Sequence, residues 1–202
     1  ENKFFDTSDV NINIQKVNND EYLNTYKINS FKEDYDNNLL HSYIDFKGEQ
    51  NNFYLNTSLE IYENLEKDKT SRYEFIYPQY NLEKQISYEN GNGYLKTYGS
   101  QRQYDTNIYE GIIINDFLFK GKSNYSKNGF VSNLKTLIKN VNVDANNSEI
   151  YKDEFEQSIA AVFQYNSEYP LFKESSEYNN NLTPKFSLMY SPNKTKNLKN
   201  EK

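Results

Sequence analysis

Leu182-Thr183-Pro184-Lys185-Phe186-Ser187-Leu188-Met189-Tyr190-Ser191-Pro192 alternates in character along its length. Leu182, Phe186, Leu188 and Tyr190 fall on one parity, together with Pro184, while Thr183, Lys185 and Ser187 fall on the other. A period of two is that of a strand with one apolar face and one wet face. Pro192 ends the run because its ring fixes φ and removes a ladder donor, and Pro184 sits near the start, where a missing donor costs least.

The same pattern recurs upstream. Val10, Ile12 and Ile14 alternate with Asn11, Asn13 and Gln15 as a first strand, followed by a polar loop to about Asn38. Leu40–Phe46 reads as strand two, Gly48–Asn52 as a turn, and Phe53–Tyr62 as strand three. Strand three sets Phe53, Leu55, Thr57, Leu59 and Ile61 against Tyr54, Asn56, Ser58, Glu60 and Tyr62. Asn64–Ser71 is a charged loop. Arg72–Lys84 is strand four, and Pro78 inside it argues for an edge or a bulge.

Asn90-Gly91-Asn92-Gly93 is a strong hairpin signal. Strands follow over Tyr94–Gln103 and Asn107–Phe119, where Ile112-Ile113-Ile114 breaks alternation and predicts burial on both faces. Lys120–Gly129 reads as a turn, Phe130–Val141 as strand seven, Asn142–Asp153 as a loop and Phe155–Tyr165 as strand eight. The opening stretch is the last strand. About nine strands joined by hairpins make an all-β, antiparallel up-and-down meander. No segment shows helical periodicity, so the apolar face awaits a second sheet, self-closure or lipid.

Composition narrows the choice. Only 36% of the 202 residues are hydrophobic, yet 16% are aromatic, with 20 Tyr, 13 Phe and no Trp. A mean hydropathy of −1.00 with so many aromatics suits a sheet dry on one side and wet on the other, and disordered chains usually lack such residues. The net charge of −6 leaves no basic footprint for nucleic acid, and the Lys194–Lys202 run is short enough to be a solvated tail. Without Cys there is no disulfide, thiolate site or Cys nucleophile. No apolar run approaches the roughly 20 residues of a membrane helix, but a barrel strand needs only about 9–11 alternating ones. The start, Glu1-Asn2-Lys3-Phe4-Phe5, is no signal peptide, and residues 1–202 read as a single segment of a longer chain.

Motifs that carry chemistry are scarce. His41 is the single histidine, so a Ser/His/Asp triad rests on it alone, and it reads more simply as a polar residue on a strand's wet face. Asp20-Glu21 and Asp34/Asp36 lack the ligand spacing of a Ca²⁺ loop. Gly91-Asn92-Gly93 is a turn with no strand-to-helix context for phosphate. The sequence therefore yields no catalytic, cofactor-binding or metal residues and leaves ligand-binding residues undefined. The aromatics have two readings: cross-strand pairs in a core, or, for Tyr62, Tyr73, Tyr104 and Tyr169, girdles at membrane interfaces.

Three stretches carry a resemblance. Val17-Asn18-Asn19-Asp20-Glu21-Tyr22-Leu23-Asn24-Thr25-Tyr26 resembles the V-S-D-x-x-Y-(L/F)-x-x-(Y/F) segment of the LptD family of lipopolysaccharide-assembly outer-membrane proteins. Tyr77-Pro78-Gln79-Tyr80-Asn81-Leu82 is similar to that family's L-P-Q-x-x strand, and Leu182 to Pro192 to its L-x-P-x-x-x-(L/Y)-x-Y-x-P strand. Order and spacing agree, while Asn19 stands for the usual Ser and Tyr77 for the usual Leu, as in a divergent member.

The resemblance implies a central part of a large transmembrane β-barrel in the outer membrane of a Gram-negative bacterium. Such a barrel encloses a plug lipoprotein and passes lipopolysaccharide to the outer leaflet without covalent chemistry or cofactors. It meets periplasmic lipopolysaccharide-bridge proteins through a domain absent from this chain. It also implies that the Asn18–Asn38 loop and the tail after Pro192 face outside or the lumen, and that the Asn90–Gly93 turn is periplasmic. Phe53, Leu55, Leu59 and Ile61 would then meet acyl chains. Two other classes stay open: an adhesin-like antiparallel β-sandwich binding module, and an outer-membrane lipid hydrolase with His41 beside a Ser and a carboxylate.

Overall fold

The long strands of the sheet lie side by side in chain order, and every pairing is antiparallel. The computed structural model describes residues 4–27, 38–175, 177–192 and 196–200. The sheet contains β1 (Thr7–Asn13), β2 (Leu39–Gln50), β3 (Phe53–Asn64), β4 (Tyr73–Tyr88), β5 (Gly91–Tyr104) and β6 (Ile108–Gly121). It continues through β8 (Val131–Asn146), β9 (Glu156–Glu168) and β12 (Lys185–Tyr190), with the two-residue β7 (Asn124–Tyr125) as a side pairing on β8. β10 (Leu171–Glu174) and β11 (Asn179–Leu182) form a separate hairpin between β9 and β12. The protein is thus all-β with a nine-strand up-and-down order, and the sheet is open, with free edges at β1 and β12.

Several boundaries differ from the sequence reading. β2 runs on through Gly48 to Gln50, so the turn is only Asn51-Asn52, with Asn51 at φ 44° in the left-handed region that Asn tolerates. The next tight turn is Glu89-Asn90, and Gly91 and Gly93 already belong to β5. β8 extends five residues past Val141: Asn142 to Asn146 pair with Tyr109 to Ile113, with Asn142, Asp144 and Asn146 on one parity and the buried Val143 and Ala145 on the other. The opening stretch is divided: Leu182 closes the β10–β11 hairpin, and the strand proper starts at Lys185, after Pro184. Within the expected loop lies one helical turn, α1 (Tyr22–Tyr26), ended by Lys27 in a left-handed conformation. Asp34 and Asp36 lie outside the described residues.

Pro78 makes a bulge, not an edge. Ile76 and Gln79 pair with Arg102 and Ser100, while Tyr77 and Pro78 have no partner on either neighbour. One extra residue bends the strand without costing β4 its interior place. Ile113 is 41% exposed, so the Ile112–Ile114 run is not buried on both faces.

The connections sort by rim. At the near rim lie the two-residue turns after β2 and β4, the connection from β6 to β8 and the β10–β11 hairpin. At the far rim lie the long connection from β1 to β2, the loops after β3 and β8, and the three-residue link after β5. Long far-rim and short near-rim connections alternate, except for that short link and the near-rim connections after β6 and β9.

Candidate functional site

Residues paired across antiparallel strands share a face, so the register defines two surfaces. One carries Val10 and Ile12, Ile44 and Phe46, Phe53 to Ile61 at odd positions, then Tyr80 and Leu82. It continues through Leu95, Ile113, Phe117 and Phe119 to Leu134 and Ile138, Ile159 and Phe163, and Leu188 and Tyr190. The expected parity of Phe53, Leu55, Leu59 and Ile61 holds. All the large hydrophobics that the nine strands expose lie on this face, apart from Leu39, Tyr77 and Met189. Among the described residues the buried apolar side chains are few, namely Leu40, Leu65, Val143 and Ala145. Most of this apolar surface therefore has no protein partner in the described structure, where soluble monomers rarely leave more than a few hundred Å² contiguous.

The opposite face carries rows of charged and polar side chains, interrupted on β6 and β8 by Ile112, Ile114, Leu118, Leu137 and Val141. At its near end six strands enclose a cleft of about 660 Å³ walled by Tyr54, Glu83, Tyr94, Lys96, Asp116 and Leu118. Glu83, Lys96, Asp116 and Lys139 stand opposite one another in successive strands, with Lys96 Nζ 2.6 Å from Glu83 Oε1 and Lys139 Nζ 2.8 Å from Asp116 Oδ1. Farther along, Asn115, Asn140 and Asn142 are linked side chain to side chain on the apolar face, marking where its greasy band gives way toward the far rim.

The structure does bring His41 beside a serine and a carboxylate. Glu60 lies at the centre: Ser58 Oγ donates to its Oε1 at 2.6 Å, Tyr62 Oη donates to its Oε2 at 2.8 Å, and His41 Nε2 sits 3.0 Å from Oε2. His41 is registered with Tyr62 and stacks on its ring at 4.1 Å. A nucleophilic serine needs its base in contact and the acid behind that base. Here the carboxylate holds Ser58 and His41 apart, so the group orders a polar surface and does not line up a proton relay. No signal in the sequence announced it, because Ser58 and Glu60 meet His41 only through the β2–β3 register.

Of the four girdle candidates, only Tyr73 stands on the apolar face at a rim. Tyr62 and Tyr104 point to the polar face, where Arg102 covers the Tyr104 ring at 4.2 Å, and Tyr169 packs on Phe130 at 4.6 Å. Asp20 is spent on structure: its carboxylate lies 3.0 Å from the buried Arg72 guanidinium, which also reaches Glu63 at 3.4 Å. The hydrogen bond to Asp20 holds the Arg72 pKa above its already high ordinary value. The 147–155 loop turns back over the polar face. Ser148 Oγ donates to the buried Glu110 at 2.6 Å, and Tyr151, pushed to higher pKa by burial and by Glu110 and Tyr98, lies over the same region. The 196–200 segment closes on that loop through a Tyr151–Lys199 bridge and a Lys196–Glu156 ion pair.

Compared with known protein families and with curated protein sequences, the chain matches none.

Proposed function

We propose that this chain is a stretch of the wall of an outer-membrane β-barrel that assembles lipopolysaccharide into the outer leaflet. The observation that carries the barrel reading is the unpartnered apolar band on one face of an up-and-down sheet whose charged rows lie on the other face. In β3 the band occupies Phe53, Leu55, Thr57, Leu59 and Ile61, five alternate positions over nine residues, matching the roughly 9–11 residues a tilted strand needs to cross a bilayer. The apolar face then meets acyl chains, and the charged face meets a wet lumen. Further strands of a longer chain take up the free edges of β1 and β12, since closure removes the edges an open sheet exposes.

Lipopolysaccharide is the substrate on the strength of the resemblance at residues 17–26, 77–82 and 182–192. The same resemblance supplies the plug lipoprotein, the periplasmic bridge proteins and the outer-membrane location. The wall does no covalent chemistry and takes no cofactor. The near rim, with its two-residue turns, faces the periplasm, and the far rim faces outward.

Spin labels placed one at a time along residues 53–62, in the full-length protein reconstituted in lipid, test this reading. High oxygen accessibility at Phe53, Leu55, Leu59 and Ile61, with access by a water-soluble nickel reagent at the alternate positions, is expected. Protection of the apolar positions from both reagents would mean a second protein layer, as in an adhesin-like sandwich.

A further inference from the structure

Buried side chains are scarce in this structure, and most of them gather in one place. Of the eight non-glycine residues buried among the described ones, Val143, Ala145, Glu110, Ser148 and Glu156 belong to a single cluster at the far rim. Val143 stands opposite Glu156 and Ala145 opposite Glu110, so these four share the polar face, and Ser148 comes from the loop that folds over them. A single-layer sheet leaves both faces accessible; here a second layer of chain covers one of them.

That layer is the 147–155 connection between β8 and β9. Ser148 Oγ donates to Glu110 Oε1 at 2.6 Å and accepts from the backbone N–H groups of Ile150 and Tyr151, both at 3.1 Å, which turns the chain inward. Tyr151 lies close enough to Glu110 on β6 and Tyr98 on β5 to be influenced by both, so the loop reaches two strands beyond the one it leaves. The 196–200 segment fastens it. Asn200 Nδ2 donates to Ser148 O at 2.9 Å and to Tyr151 O at 2.6 Å, Asn200 N donates to Ile150 O at 2.9 Å, and Lys196 pairs with Glu156 at the start of β9. Three carbonyls and two N–H groups of the loop are thereby paired, so its backbone can lie against the sheet away from water.

We propose that the 147–155 loop, fastened by residues 196–200, is a constriction that narrows the wet passage along the polar face at the far rim and opens when the fastening lets go. A compact loop packed by its own side chains is suited to this, and a second layer stands about 10 Å off a sheet, a large share of the bore of a barrel that would otherwise stay open. The fastening is light. Its ion pair has a half-exposed lysine, and the rest hangs on one asparagine, so the loop belongs to the low-stability parts from which moving segments are drawn. That the passage is a barrel lumen rests on the barrel reading; the fastening does not.

The test uses the full-length protein in lipid, with any plug that co-purifies. Chymotrypsin cleavage after Tyr151 reads the loop, and single-channel conductance in planar bilayers reads the passage. Lys196→Gln combined with Asn200→Ala is expected to speed that cleavage at least tenfold and to raise conductance at least twofold. Asn200→Ala alone, the milder change, is expected to move both in the same direction by less. Lys67→Gln, which breaks the Lys67–Asp105 ion pair elsewhere on the far rim, is expected to leave both unchanged. Unchanged cleavage in the double variant would overturn the fastening. Unchanged conductance through channels whose loop is released would overturn the constriction while the barrel stands. A released loop in a protein that forms no channel would refute the barrel reading and the constriction together.

Discussion

Replacing Leu59 with lysine puts the two-faced sheet to a quantitative test. Leu59 is the seventh residue of β3 (Phe53–Asn64), six steps from the near-rim turn, and lies on the apolar face. Six steps at about 3.4 Å cover roughly 20 Å of strand. At a tilt of about 40° this is roughly 15 Å along the membrane normal, half of a hydrocarbon core about 30 Å thick. A lysine at that depth costs about 2–4 kcal/mol, a roughly 30- to 700-fold shift in the folding equilibrium. In water the same change would matter little, because Leu59 is already 50% exposed and surface substitutions usually stay within about 0.5 kcal/mol.

The matched control is Asn56→Lys on the polar face. It faces Lys47 in register, so it carries a like-charge penalty of up to about 1 kcal/mol but no transfer into lipid. Guanidinium unfolding of the full-length protein in lipid vesicles, followed by circular dichroism, compares the two. Equal losses for Leu59→Lys and Asn56→Lys, or a Leu59→Lys loss within about 0.5 kcal/mol, would refute the assignment of faces to lipid and water.

Other consequences are independent of lipid. The Tyr80 ring lies over Gly99, its registered neighbour, where an added Cβ would overlap it, so Gly99→Val is expected to cost about 1–3 kcal/mol in unfolding midpoint, with partial recovery in a Tyr80→Ala background. Lys96→Glu places three acids in a row with Glu83 and Asp116. The expected loss is about 1–2 kcal/mol, and it shrinks in 1 M salt because these groups are partly exposed. Arg72→Met strips Asp20 and Glu63 of their shared cation. The expected cost is about 1–3 kcal/mol, discounted from the buried-pair range because Asp20 is half exposed, and faster tryptic cleavage at Lys16 or Lys27 should accompany it.

Most of the strands were legible from alternation alone, and the misreadings were local. β8 beyond Val141 does alternate, Asn142, Asp144 and Asn146 against the buried Val143 and Ala145, but Asn and Asp at this density read as turn formers, while the backbone groups go on pairing with those of β6. Gly48 and Gly91 were read as turn residues, but each lies in a strand beneath an aromatic ring, Phe5 over Gly48 and Phe119 beside Gly91. Leu182 kept the parity of the last strand while belonging to another hairpin, since period alone is blind to a break at Pro184.

The candidate sites were the least legible part. His41 had no visible partner because Glu60 and Ser58 lie on the next strand, and only a register that sets His41 against Tyr62 brings them together. The alternating charges Glu83, Lys96, Asp116 and Lys139 are likewise scattered in the chain and aligned only by pairing. Local side-chain pattern is enough to specify a strand and its two faces, because successive side chains must point to opposite sides. Which charges meet across the sheet depends on register, set by turn length and the bulge at Pro78, and a one-residue slip would exchange the faces.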